Sequence, residues 1–419
     1  MITPEYYGAV GDGVTDDTAA WQSAIDSGEI VQATSAKYKC GTLVVARDTE
    51  IDCNNAEFVC ASSTLFDCRG SIINQYSNAD YTANQRNYAI KNSFTGIAYL
   101  SGTNNVFKQR SYYRGGSVEA FTNGVMQTTI PADITGVTVY ELQTPSIIIK
   151  NIKNVQFAET DDAVVIRMQY CKDSVVDNVN VKNVCYSIFQ IWQCHNCSYT
   201  NSTFDIPQYK TYGTYYYPIE ICDSCYTLVE NVHGHCVGWH CGTTGNNTLC
   251  RQTHVKNCDF SSDYPVASYA DHPNGIETLV ENTKLSSIGL GVLGKMVNCQ
   301  IVPTKNDSLC RVNLDVCSVE GLANYMIDSC SFLPKSGGTS DISIYCYPQA
   351  SGMNYDYLFG KLLITNCNVS GGTSMPIILR ASSDFTGTII IDSISVINAN
   401  MRIDAVAANR TYLVCDEIT

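Results

Sequence analysis

The sequence predicts an all-β protein: a parallel β-helix that follows one short α-helix. A six-residue pattern recurs about every 25 residues over much of the chain, and such a period is typical of repeat architectures. Strand-favouring residues are abundant, including 27 Tyr among 419 residues, and no long helix-forming stretch follows residue 30. We therefore expect a loop and capping helix over residues 1–30 and one continuous β-helix domain over residues 31–419.

The N-terminal segment predicts that helix. Three glycines within residues 8–13 permit a tight loop. Thr15 or Asp16 then offers a side-chain oxygen to the free amides of a helix start, and the charge of Asp17 is favourable there. The apolar residues that follow at helical spacing are Ala20, Trp21, Ala24 and Ile25. We expect a helix near Asp17–Ser27 whose apolar face covers the open base of the stack.

The repeat has the form apolar–polar–Asn–x–x–apolar. The Asn positions of its clearest run are 154, 178, 201, 231, 257 and 282. Asn tolerates the left-handed backbone of a sharp turn, and stacked Asn amides can bond to one another along a column. The alternation before each Asn places one side chain inward and the next in water. Each repeat is therefore interpreted as one rung of the helix, and the longest interval contains a tyrosine-rich insertion over residues 207–217.

The run Gly11–Thr18 resembles the N-terminal motif of the pectate-lyase-like superfamily. That superfamily includes polygalacturonases, lyases, epimerases and the tailspike depolymerases of bacteriophages. The resemblance implies a single-stranded right-handed parallel β-helix with a capping helix. In layout the chain looks most like a phage tailspike, which implies a polysaccharide substrate and a homotrimer.

Charge and leader signals bear on partners and location. The formal net charge of −14 disfavours nucleic acid and anionic membrane surfaces as partners. The first residues show no basic region followed by an apolar run, and no apolar stretch approaches the ~20 residues of a membrane helix. We expect a protein of the virion tail or the extracellular space, without membrane insertion.

The 21 cysteines have two interpretations. Several directly follow the turn residue of a repeat, which favours a column of small buried thiols: Cys258, Cys299, Cys330 and Cys367. The alternative is a zinc site, because residues 194–197 and 222–225 are both Cys-x-x-Cys pairs. The two pairs lie at different offsets from their turn residues and do not obviously converge on one ion. We expect mostly free thiols and no cofactor.

Alignment on the turn Asn places three polar residues on adjacent rungs. Arg167, Gln190 and Glu220 each stand eleven residues before an Asn, between apolar neighbours. The alternation predicts that all three point outward, ~4.8 Å apart per rung. Glu220 is a candidate catalytic residue, and Arg167 and Gln190 are candidate substrate ligands.

A second set of candidates lies seven to nine residues after the aligned Asn. The carboxylates are Asp161 and Asp162, and the remaining members are Tyr186, Tyr209, Trp239 and His240. Carboxylates and aromatic rings on one face suit the cleavage of glycans. Residues 159–164 also look like the paired-aspartate segment of polygalacturonases, but the Gly-His-Gly element of that family is absent about one rung later.

These residues predict an inverting glycoside hydrolase. Asp161 or Asp162 and Glu220 would lie about two rungs, or roughly 10 Å, apart, which is nearer the spacing of inverting than of retaining pairs. Glu220 would donate the proton and the aspartate would activate water, while Arg167 and the aromatic residues would hold the sugar. Two alternatives remain: a polysaccharide lyase of the pectate-lyase type, with Ca²⁺ and with Arg167 as base, or a non-catalytic glycan-binding receptor or structural fibre protein.

Overall fold

The structure is a computed structural model. It describes residues 1–85, 87–90, 93–104, 115–158, 162–182, 186–206, 217–237, 240–244, 248–263, 268–271, 275–303, 309–315, 324–334, 339–345, 357–370, 377–381, 385–397, 402–405 and 411–418. The chain forms a parallel β-helix, as the sequence predicts, and we call this body the shaft. The shaft consists of two long parallel sheets and a narrow third side.

Among the described residues, the first sheet has 22 strands. They are β1 (Asp12–Asp16), β2 (Val31–Gln32), β3 (Lys37–Cys40), β5 (Thr49–Cys60), β12 (Ile147–Phe157), β14 (Val175–Val181), β16 (Ser198–Thr200), β17 (Thr203–Ile206), β19 (Leu228–Glu230), β20 (His233–Cys236), β23 (His254–Lys256), β24 (Asp259–Ser262), β27 (Leu279–Glu281), β28 (Lys284–Leu285), β30 (Lys295–Val297), β31 (Gln300–Ile301), β33 (Tyr325–Asp328), β34 (Ser331–Phe332), β36 (Tyr357–Thr365), β37 (Cys367–Ser370), β39 (Phe385–Ile397) and β41 (Thr411–Ile418).

The second sheet has 12 strands within the described ranges. They are β4 (Leu43–Val45), β6 (Thr64–Arg69), β13 (Val164–Gln169), β15 (Ser187–Trp192), β18 (Ile219–Cys222), β21 (Gly242–Thr244), β25 (Tyr269–Asp271), β29 (Ser287–Leu290), β32 (Leu309–Asp315), β35 (Thr339–Tyr345), β38 (Ile377–Ala381) and β40 (Arg402–Ala405). The narrow third side is made of single-residue bridges and the short pair β22 (Cys250–Arg251) and β26 (Gly275–Ile276).

A column of turn residues bends the first sheet at every rung. These residues have φ between 50° and 62° and are Asn151, Asn178, Asn201, Asn231, Asn257, Asn282, Asn298, Ser329 and Asn366. Such a left-handed backbone is one that Asn adopts more easily than most residues. Some neighbouring amides bond along the column as expected, for example from Asn178 Nδ2 to Asn151 Oδ1 at 2.8 Å. Other turn amides donate to a carboxylate of the preceding rung instead, namely those of Asn201, Asn257 and Asn366. The turn column therefore links successive rungs through both kinds of hydrogen bond.

One alignment made from the sequence is wrong. The turn of the first repeat is Asn151, not Asn154, because Ile149 pairs with Val176 and Ile152 pairs with Val179. Two overlapping stretches of β12 fit the repeat pattern. The structure uses the one that buries Ile149 and Ile152 completely.

The N-terminal helix α1 spans Thr18–Asp26, with Asp17 before it and Ser27 after it. Asp16 supplies the predicted side-chain oxygen, since its Oδ1 accepts from the amide of Thr18 at 3.0 Å. Asp17 directly precedes the first turn, and its carboxylate accepts hydrogen bonds from the amides of Val10 and Gly11. Trp21 is fully buried and its ring packs edge-on against Tyr38, at 5.1 Å between centroids. The apolar face of α1 thus lies on the first strands of the shaft. A 3₁₀ turn over Pro4–Tyr7 precedes it.

A five-stranded antiparallel sheet, which the sequence did not predict, leaves the shaft after β6 and returns before β12. We call it the inserted sheet; its strands are β7 (Ser71–Ser77), β8 (Gly96–Asn104), β9 (Ser117–Thr122), β10 (Val125–Met126) and β11 (Ile134–Gln143). Below and above it, β5 pairs directly with β12 and β6 with β13. The shaft is therefore continuous past the insertion.

Buried charges join the inserted sheet to the shaft. Glu119 of β9 and Arg251 form an ion pair at 2.6 Å, with side chains 0% and 2% exposed. Tyr99 of β8 donates its hydroxyl to Asp223 Oδ2 at 2.8 Å. The inserted sheet and the shaft are thus joined by two polar contacts that are closed to water.

The interior contains many cysteines, as the sequence predicts. The structure describes the side chains of 17 of the 21, and each is a buried free thiol. Burial raises the pKa of Cys258 to about 12. No helix among the described residues is long and apolar enough to cross a membrane.

Candidate functional site

The outer face of the second sheet carries the predicted polar row. Arg167 of β13 is in register with Gln190 of β15, and Gln190 is in register with Glu220 of β18. Their neighbours in the strands, such as Ile166 and Ile221, are fully buried in the shaft interior. Alternation along the strands therefore places these three side chains together on adjacent rungs, as the Asn spacing predicts.

Hydrogen bonds run along this row. Arg167 donates from Nε to Gln190 Oε1 at 2.7 Å. Gln190 donates from Nε2 to Glu220 Oε2 at 2.5 Å. The Arg167 guanidinium also lies over the Trp192 ring, 5.8 Å from its centroid. The three polar side chains are thus held as one connected unit.

The row is more buried than an outward position suggests. Gln190 is 2% exposed and Glu220 is 7% exposed. Burial raises the pKa of Glu220, while the hydrogen bond from Gln190 and the charge of Arg167 act in the opposite direction. A carboxyl group with a raised pKa keeps its proton at higher pH than an exposed one does, which suits a general acid.

Aromatic rings form a second column beside Glu220. Tyr186 and Tyr217 contact edge-on at 6.0 Å, and Tyr217 and His240 lie 6.4 Å apart. Burial and the charge of Glu220 raise the pKa of Tyr186. Tyr186 and His240 were predicted as ligands, whereas Tyr217 was seen only as part of the tyrosine-rich insertion. Its position just before β18 is the sequence signal that could have identified it.

Of the two aspartates predicted to work with Glu220, the structure describes Asp162 and not Asp161. Asp162 is exposed and lies directly before Ala163, whose carbonyl accepts a hydrogen bond from the Tyr186 amide. The charge of Asp162 contributes to the raised pKa of Tyr186, so it lies on the aromatic side of the row. Three predicted residues are outside the described part of the chain: Asp161, Tyr209 and Trp239.

Asp67 extends the polar row by one rung and was missed from the sequence. It is in register with Arg167 and forms an ion pair with Arg69. Its strand lies before the first clear repeat, so the Asn alignment could not reach it. Arg167 itself contacts Gln190, to which its Nε donates, and the Trp192 ring, over which its guanidinium lies.

Asp223 is a further buried acid next to the row. Its Oδ2 accepts hydrogen bonds from Tyr99 and from Gln193 Nε2, the latter at 3.1 Å. Burial raises the pKa of Asp223 to about 7. Its neighbour Cys222 is also buried, with Sγ 4.0 Å from Glu220 Oε1.

The Cys-x-x-Cys pairs do not form a recognisable metal centre in the part of the chain that the structure describes. Across those residues, no group of three or more His, Cys, Asp or Glu side chains is arranged to hold a metal ion. Cys194 and Cys197 are buried in the shaft interior, whereas Cys222 is on the outer face. The two pairs therefore do not face one common site.

Comparison with known proteins identifies the fold. No protein-family model and no curated protein matches the chain. Among solved structures, the chain is similar to the tailspike gp61 of Pseudomonas phage phi297, with a TM-score of 0.66 and 13% identity over 100% of this chain and 80% of that one. It is equally similar to the tailspike gp49 of Pseudomonas phage LKA1, with a TM-score of 0.65 and 14% identity over 100% and 79%.

A third solved structure is a tailspike with a bound sugar. The gp54 tailspike of Acinetobacter baumannii phage AP22, in complex with A. baumannii capsular saccharide, matches with a TM-score of 0.55 and 12% identity over 96% of this chain and 76% of that one. The chain therefore has the parallel β-helix fold found in phage tailspikes.

Proposed function

We propose that this protein is a phage tailspike that cleaves a bacterial surface polysaccharide at the Arg167–Gln190–Glu220 row. The observation that carries the proposal is Glu220, a carboxyl group with a raised pKa on the outer face of the shaft. Aromatic side chains beside it offer faces on which sugar rings can stack. The tailspike fold supports the polysaccharide as substrate.

The proposed reaction is inverting hydrolysis. Glu220 donates its proton to the glycosidic oxygen as the bond to the anomeric carbon breaks. Asp162 or Asp161 removes a proton from the water that attacks that carbon from the opposite face, so one carboxyl loses a proton and the other gains one. Arg167 binds an oxygen of the substrate, and Tyr186 and Tyr217 stack on its rings.

The test begins with a panel of purified bacterial capsular polysaccharides and lipopolysaccharides, in which cleavage is measured as new reducing ends. On the substrate found, Glu220→Gln and Asp162→Asn should each lower kcat by orders of magnitude with little change in glycan binding or thermal stability. Glu281→Gln, a partly exposed carboxylate on the first sheet, is the matched control. Wild-type rates for both site variants would show that the active site lies elsewhere.

A polysaccharide lyase is the second candidate, favoured by the position of a cation, Arg167, on the same face as Glu220. A lyase would give an unsaturated product with ultraviolet absorbance, whereas a hydrolase gives reducing ends without it. Loss of activity with a chelator would support the calcium-dependent lyase. Binding without either product would indicate a non-catalytic receptor or fibre.

We also propose that the chain assembles as a homotrimer in a phage tail or another extracellular setting. The support is the similarity of fold to tailspikes. Light scattering on the purified protein should give about three times the 45.9 kDa chain mass. A monomer mass over the working concentration range would contradict this assembly.

A further inference from the structure

We infer that Gln190 is a positioning residue that orients Glu220 and Arg167, and that it is not a ligand for the sugar. The inference rests on the proposed role of Glu220 and assigns Gln190 a place in the same reaction. It also replaces the expectation that Gln190 touches substrate.

The chemistry of the two neighbours determines which way the Gln190 amide points. The Nε of Arg167 can only donate, so the atom that it contacts at 2.7 Å must be the amide oxygen. The amide nitrogen then faces Glu220 and donates to Oε2 at 2.5 Å. The hydrogen bond from Arg167 thereby prevents the Gln190 side-chain amide from flipping.

Both ends of the Gln190 amide are thus occupied within the protein. The side chain is 2% exposed, so a bound sugar would have little access to it. A buried amide in this position contributes through the groups that it holds. It connects the Arg167 cation with the proposed acid.

The donated hydrogen bond has a specific consequence for Glu220. Because Oε2 accepts from Gln190, the carboxyl group is held in one orientation and its charged form is stabilised. The described charged or titratable groups that face this carboxyl include Arg167, Tyr186 and Cys222. Arg167 and Gln190 stabilise the charged form, whereas burial disfavours it.

A substrate-free test uses Gln190→Met, which keeps the length of the side chain and removes its donor. Stability is measured from about pH 5 to about pH 9 for the wild type, Gln190→Met, Glu220→Gln and the double variant. The charged carboxylate loses its donor in Gln190→Met, so its pKa should rise further. The stability lost through Gln190→Met should therefore grow with pH, and this growth should vanish in the Glu220→Gln background.

A loss of stability through Gln190→Met that is independent of pH would overturn the inference. So would a loss that grows with pH equally in the wild-type and Glu220→Gln backgrounds. Gln190→Glu is the second variant, should Gln190→Met fail to fold. It can still accept from Arg167 but donates to Glu220 only when protonated. It should likewise raise the pH at which Glu220 titrates.

Kinetics separate this inference from the proposed function. On a polysaccharide that the wild type cleaves, Gln190→Met should move the alkaline limb of kcat/KM to higher pH with little change in KM. A raised KM with an unmoved limb would instead make Gln190 a sugar ligand. Full activity of Glu220→Gln would refute the proposed function but would leave the stability result, and hence the Gln190–Glu220 coupling, standing.

Discussion

Gly234 shows how closely single residues are matched along the shaft interior. It lies in register with Phe204 on one rung and Phe260 on the next. The two rings stack at 6.3 Å between centroids. A Cβ on Gly234 would lie 2.0 Å from the Phe204 ring, so only glycine fits between them.

We expect Gly234→Ala to lower the free energy of unfolding by about 1–3 kcal/mol, because the Phe204 ring must leave its place. Urea denaturation followed by circular dichroism measures the loss. Gly289→Ala is the control, since its nearest atom would lie at an ordinary 3.7 Å. Equal effects of the two substitutions would contradict the proposed overlap.

Asp271 provides a residue-level test of pH dependence. It is 1% exposed, its Oδ2 accepts the Gly291 amide at 2.9 Å, and burial raises its pKa to about 7. The folded state therefore holds a proton that the unfolded chain releases near pH 4, so the contribution of Asp271 to stability is greatest below about pH 4 and is lost as pH rises to about 7.

Asp271→Asn should flatten this fall, because the amide has no proton to lose. The free energy of unfolding is measured at about pH 5 and about pH 8. The difference between the two values should be smaller in Asp271→Asn than in the wild type, by on the order of a few kcal/mol. Asp223 has a similarly raised pKa, so some pH dependence should persist in this variant. An unchanged difference would mean that Asp271 is ionised in the folded protein.

At the level of elements, α1 is the part of the chain with the clearest testable role. Trp21 packs on Tyr38 and Phe58, which belong to the first strands of the shaft. Without α1 those strands would present an apolar face and free edge amides, which favour strand addition by another chain.

Trp21→Asp should therefore cause aggregation or loss of soluble protein. Sedimentation and the recovery of soluble protein provide the measurement. The substitution Ser23→Asp, on the opposite and exposed side of α1, is the control, because the Ser23 hydroxyl bonds to Ala19 within the helix. Normal solubility with an unchanged β-type circular dichroism spectrum in Trp21→Asp would contradict the capping role.

Sequence repeats predicted the alignment of strands well where the turn Asn is unambiguous. Arg167, Gln190 and Glu220 were placed together because parallel rungs repeat a fixed offset from that turn. The inserted sheet could not be predicted in this way, because residues 71–143 lack the repeat. The burial of Glu220 could not be predicted either. Alternation along a strand indicates which face of the sheet a residue is on, but not whether other parts of the chain cover that face.

For the whole molecule, the thiol-rich interior makes a simple prediction. Burial raises the pKa of thiols such as Cys225 and Cys258, and only a thiolate reacts readily. Labelling without reductant should be slow in the native protein, and under denaturing conditions most of the 21 cysteines should react.

Metal analysis completes this test. We expect less than one zinc ion per chain. One tightly bound zinc that is lost in Cys194→Ser or Cys222→Ser would overturn the thiol interpretation in favour of a metal centre. A low thiol count in the denatured protein would instead indicate disulfides.

The inserted sheet begins and ends at one point of the shaft, where Ser71 of β7 is the register partner of Gln143 of β11. Because the strands on either side of it pair directly, we expect that deleting or exchanging residues 71–143 would leave the pairing of those rungs in place. Arg251 limits such changes. A guanidinium buried without Glu119 is costly, so a viable exchange must supply a new carboxylate or replace Arg251 at the same time.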